Sequence, residues 1–167
     1  MVSTEDVKRL REETGAGVMD SKRALEQAGG NFEQARQLLR EQGSAAAAKR
    51  TDRATSQGLV EAYIHGAGRI GALVEVNCET DFVARTDTFR ALARDVAMQV
   101  AAMNPLGLEP DEVPNDAPGD KSQHALLTQA FIKDSSKTIG DLVKEAIAQT
   151  GENVRITRFS RFELGSG

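Results

Sequence analysis

A single cysteine, Cys78, and two histidines are all the soft ligand chemistry in this 167-residue sequence. One thiol excludes an internal disulfide, and one cysteine with two histidines makes no metal-ligand set of recognisable spacing. No run of apolar residues is long enough to read as a membrane-crossing helix. The start, Met1-Val2-Ser3-Thr4-Glu5-Asp6, is polar and acidic rather than apolar, so the expected location is the cytoplasm, with no membrane contact. An excess of positive charge is missing too. With 21 basic against 25 acidic residues and a net charge of -4, nothing electrostatic argues for a direct nucleic-acid ligand. Neither a metal nor a cofactor is expected. Prolines number 4 and all fall between 104 and 120, a stretch that reads as a surface loop.

What is present is ordinary helix and strand patterning, enough for a small unit plus a medium one. Ser3 with Asp6 three residues on is a capping-box-like start for a first helix, which stops at Thr14-Gly15-Ala16-Gly17. A second helix fits Val18 to Ala28, with Met19, Ala24, Leu25 and Ala28 apolar, and Gly29-Gly30 ends it. Asn31 and Gln34 open a third, carrying Phe32, Ala35, Leu38 and Leu39 and stopping near Gly43. Residues 44 to 57 hold almost nothing that can enter a core, and read as an exposed connector of helix-forming residues; Lys49, Arg50 and Arg53 read as a solvated face. The expected division is a three-helix bundle over 1–43, a connector over 44–57 and an α+β core over 58–167.

Within the core, Gly58 to Ile64 and Ile70 to Val76 are strand-like runs joined by His65-Gly66-Ala67-Gly68-Arg69, a hairpin turn. Its glycines do not make a phosphate loop, because a strand rather than a helix follows. Phe89, Leu92, Ala93, Val96, Ala97 and Val100 recur at helical steps, so a long helix runs from about Asp87 to Met103, where Asn104-Pro105 stops it. Helical patterns return at Ser122 to Ile132 and at Ile139 to Ala148. The last segment, Asn153 to Leu164, alternates as a strand but slips, which a bulge near Thr157 to Phe159 would reconcile. The fold class is α+β: a three-stranded antiparallel sheet packed with helices, behind an N-terminal three-helix bundle.

Between the second strand and the long helix lies Val76-Asn77-Cys78-Glu79-Thr80-Asp81-Phe82-Val83-Ala84-Arg85, a tight strand-to-helix corner. Two readings of it stand open. In one, Thr80 is a helix N-cap, Asp81 a first-turn acid and Phe82 a plug under the helix. In the other, Asp81 and Phe82 point outward into a partner, where an aromatic ring on a rigid turn is a strong anchor. Catalysis has one candidate pair, Cys78 with His65, as neighbours at the end of the hairpin region. Glu79 beside the thiol opposes a thiolate, and no enzyme activity is expected.

At residues 10 to 25, LREETGAGVMDSKRAL, and at 75 to 85, EVNCETDFVAR, the chain resembles the signature segments of elongation factor Ts. YIHG at 63 to 66, GENVRITRF at 151 to 159 and RFELG at 161 to 165 resemble the same family, in order along nearly the whole chain. The resemblance implies a bundle similar to ubiquitin-associated domains and guanine nucleotide exchange on elongation factor Tu, without bond chemistry. It implies that Thr80, Asp81, Phe82 and Val83 displace the magnesium ion of that partner, that Met19 and Asp20 touch its nucleotide-binding domain, and, as a weaker match, that His65 makes a core contact. Only one such core run occurs, which resembles the short form that pairs two subunits. The helical insertion of some short members looks missing after Pro105. Ser160 stands where some carry a cysteine, so the implied homodimer is non-covalent, through the strand of Arg155 to Phe162. The competing class is an interaction module for a ubiquitin-like or ribosomal ligand.

Overall fold

Ser3 and Asp6 do exchange bonds at the start of helix α1 (Thr4–Thr14): the serine hydroxyl accepts from the Asp6 amide and the Asp6 carboxylate accepts from the Ser3 amide. The computed structural model describes residues 2–167. Helix α2 (Val18–Gln27) follows, and Asn31 caps helix α3 (Phe32–Ala48) by accepting from the Glu33 and Gln34 amides. Val7, Leu10, Ala24, Leu25 and Ala35 meet in a small core of their own, edged by Phe32, Leu38 and Leu39. The Arg9 guanidinium lies 4.5 Å from the Phe32 ring centroid, covering the edge of that core with a cation.

Helix α3 does not stop at Gly43. It runs five residues further because Ala45 to Ala48 are strong helix formers and because Ala47 finds a buried place, 7% exposed, in the larger core. Almost nothing in the connector is expected to enter a core, and that alanine is the residue that does. Gly43 packs beside Ala148, and the extension of α3 lies along helix α6 (Ile139–Thr150).

The larger core is built on strands β1 (Gln57–His65) and β2 (Ile70–Cys78), paired antiparallel, with β2 also paired antiparallel to β5 (Val154–Glu163). The sheet order is therefore β1-β2-β5. Ala72, Val74, Val76 and Cys78 project from one face of β2 and are all buried against α5 (Asp87–Met103). The six apolar positions expected on that helix are indeed buried, Phe89 completely. Burying such a ring contributes about 2 to 3 kcal/mol.

The strand slip is a bulge at Thr157, where Val76 pairs with Ile156 and Glu75 with Arg158. It brings Ile156 and Phe159 onto the helix-covered face. Phe162 and Leu164 stay on the other face, 73% and 67% exposed, with Val60, Ile64 and Leu73 beside them in the sheet.

The helix expected over 122–132 does not form. Two short 3-10 turns and a hairpin of β3 (Ala130–Phe131) and β4 (Asp134–Thr138) take its place. Its backbone groups have other partners: the Leu126 and Leu127 amides donate to Gly107 and Leu108, while buried Gln99 takes the Ile132 amide and donates to the Ala130 carbonyl. No helix among the described residues is long and apolar enough to cross a membrane.

Candidate functional site

Strand β2 ends at Cys78, and within three residues the chain has entered a new helix, α4 (Asp81–Ala84). Thr80 is its N-cap, with the hydroxyl accepting from the Val83 amide at 3.3 Å. One turn later Thr86 repeats the device: its hydroxyl donates to the Val83 carbonyl at 2.7 Å and accepts from the Phe89 amide at 3.3 Å to start α5. Two capped starts in succession turn the chain by fixed hydrogen bonds.

Sequence reasoning left Phe82 with two destinations, and it takes the outer one. The ring is 78% exposed, whereas Val83 beneath it is buried at 6% and Phe89 fills the space under the helices. Of the four residues of this helix Val83 takes the buried seat, with the small Ala84 partly buried against the same core. Asp81 is exposed and paired with Arg85 at 3.0 Å, a surface pair worth under about 1 kcal/mol and therefore easily surrendered to a partner.

The corner is held from behind by residues that no local motif marks. The Glu152 carboxylate accepts from the Glu79 amide at 3.0 Å, from the Thr80 amide at 2.9 Å, and from the Thr80 hydroxyl. In return the Glu79 carboxylate accepts from the Asn153 amide at 2.7 Å and meets Arg53 at 3.6 Å. Buried Asn153 donates its side-chain amide to the Thr51 and Arg53 carbonyls at 3.3 and 2.9 Å. The only available signal was that a polar pair, Glu152-Asn153, interrupts two apolar-patterned elements. Its partner at Thr80 is 72 residues away.

The expected Cys78–His65 neighbourhood is not found. Cys78 pairs with Gln57 at one end of the hairpin and His65 with Ile70 at the other, roughly 25 Å apart along the strand at about 3.3 Å per residue. Burial pushes the Cys78 thiol above its ordinary value, the charge of Glu152 adds to that, and the thiol donates to the Thr80 carbonyl at 3.1 Å. It is a structural thiol. His65 is exposed and stacks on Tyr63, with Nδ1 3.0 Å from the tyrosine hydroxyl. The structure therefore keeps His65 apart from Thr80, Asp81, Phe82 and Val83. Met19 and Asp20 form a third location on the first turn of α2, where Met19 is 63% exposed beside exposed Val18 and Asp20 pairs with Arg23.

Chemically, such a corner can dock and displace, since it presents an apolar ring on a braced turn with one carboxylate beside it. Among the described residues no group of three or more His, Cys, Asp or Glu is placed to hold a metal ion. The family model described as Elongation factor TS matches residues 21–124, which include the corner. Proteins named Elongation factor Ts are similar over nearly the whole chain. That of Rubrobacter xylanophilus is 46% identical over 96% of this chain and 97% of its own length. That of Carboxydothermus hydrogenoformans is 47% identical, over 100% and 91%. In the second case the comparison spans 197 positions against 167 residues here, so the relative carries residues with no counterpart in this chain.

Proposed function

The chain belongs to the elongation factor Ts family, and on that premise we propose that it is a guanine nucleotide exchange factor for elongation factor Tu in translation elongation, acting by docking and displacement without bond chemistry. The observation that carries the reading is the exposure of Phe82 on a turn fixed from both ends. An aromatic ring held outward loses little conformational entropy on docking, so most of the apolar area it buries is left to drive displacement.

In this reading the partner grips GDP through backbone amides and a magnesium ion, and the corner enters beside that ion. Val83 anchors the base of the wedge in this chain's own core, Thr80 fixes its angle, Phe82 separates elements of the partner, and Asp81 exchanges Arg85 for a partner group. Magnesium demands near-octahedral geometry, so a displacement of about an ångström weakens its hold. Met19 and Asp20, on the first turn of α2, form a second arm that supplies binding energy to the same event. His65 lies on the core far from the corner, where it extends the footprint. By linkage, exchange factor and nucleotide weaken each other's binding by the same factor, and incoming GTP then drives the exchange factor off.

The test is stopped-flow release of fluorescently labelled GDP from elongation factor Tu. The chain is expected to accelerate release by orders of magnitude at saturation. A release rate independent of the chain would remove the function.

A further inference from the structure

Three separate stretches of chain meet behind the wedge: the corner at Glu79-Thr80, the turn at Gly151 to Asn153, and the connector at Thr51 to Arg53. Helix α6 ends at Gly151 in the left-handed conformation, φ 73°, and the Glu152 amide donates to the Thr150 hydroxyl at 3.3 Å, which aims the Glu152 side chain at the corner. One carboxylate then satisfies three donors, two of them the orphan amides of a chain leaving a strand and entering a helix.

We infer that Glu152 is a positioning residue for exchange, holding the Thr80 to Phe82 turn in the one orientation from which the ring can enter the partner. This rests on the wedge reading above. The geometry favours it over mere stabilisation of the fold, because both amides and the hydroxyl lie immediately before Phe82. Once Glu152 is lost, the interior beneath the corner still has Val83 and Phe89 in place. What is freed is the direction of the exposed ring. The Thr80 hydroxyl and carbonyl then keep their bonds from the Val83 amide, the Ala84 amide and the Cys78 thiol, but the Glu79 and Thr80 amides that set the entry into the turn lose their acceptor. An unbraced wedge must be ordered during docking, and that cost falls on the displacement step.

A double-mutant cycle on the maximal GDP release rate tests this, run with thermal unfolding of each chain. Glu152→Ala is expected to lower the rate roughly three- to tenfold, the consequence of losing two or three bonds to a charged acceptor at the turn. Glu152→Gln is expected to restore it to within about twofold, since the amide oxygen still accepts from both backbone amides and the Thr80 hydroxyl can accept from the new amide group. In a Phe82→Ala background, Glu152→Ala should change the rate by less than about twofold, because there is no ring left to aim. An undiminished rate in Glu152→Ala, or a loss that multiplies undiminished onto that of Phe82→Ala, overturns the positioning role and leaves the wedge standing. A wild-type rate in Phe82→Ala overturns the wedge and this inference with it. Should Glu152→Ala not unfold cooperatively, Glu152→Asp carries the test: its charge is kept but its reach is one methylene short. A rate loss that vanishes in the Phe82→Ala background supports the assignment, and a wild-type rate refutes it.

Discussion

Phe82 and Phe89 stand on consecutive helices and face opposite ways, and their fates separate binding from stability. Phe89 is fully buried among the sheet and helices, so Phe89→Ala should cost about 3 to 5 kcal/mol in urea unfolding. Phe82→Ala removes a ring that touches mainly solvent and should change stability by less than about 0.5 kcal/mol. Similar losses for the two variants would place the Phe82 ring inside its own subunit. The sequence disclosed Phe89 through its place in a helical repeat, but not the direction of Phe82, because four helical residues have no period to read. Thr80 was legible as a cap from its place before a helical run. Glu152 was not, since a bond between positions so far apart leaves no local pattern.

At the scale of elements, long amphipathic runs and strand alternation were readable, and errors fell where a local signal met tertiary bonding. Gly43 looked like a helix stop. Instead α3 passes through it, because the alanines beyond are helix formers and Ala47 is drawn into the larger core. A methyl group at Gly43 would sit 3.7 Å from the Ala148 Cβ, an ordinary contact, on a backbone that is already helical. Gly43→Ala should therefore stabilise the chain by about 0.5 to 1 kcal/mol, read as a higher unfolding midpoint. A lower midpoint would mean that the two helices require the closer approach. The segment 122–132 failed as a helix for a different reason: Gln99 and the 107–108 backbone claim its hydrogen-bonding groups, and no periodicity announces a buried glutamine. The Thr157 bulge was legible because a break in alternation has few other remedies.

On the scale of the whole molecule, one sheet face is covered by helices and the other carries Val60, Ile64, Leu73, Phe162 and Leu164 toward solvent. We propose that this face, which includes the strand of Arg155 to Phe162, is where two copies of the chain associate without a covalent link. Light scattering on the eluting protein should give twice the 18.0 kDa chain mass, and Phe162→Glu should halve it. A wild-type monomer would contradict the pairing and leave the corner untouched, since Val83 seats that turn in the helix-covered core rather than on the exposed sheet face. Whether the chain is single or paired, the exposed ring on the braced corner is the proposed displacing group. Single-turnover release of labelled GDP from elongation factor Tu, at saturating concentrations of wild-type and Phe82→Ala chains, tests it most directly. The account predicts that the folded variant still binds its partner but releases GDP at least about tenfold more slowly, as expected for a buried aromatic anchor. Equal release rates for the two chains would contradict it.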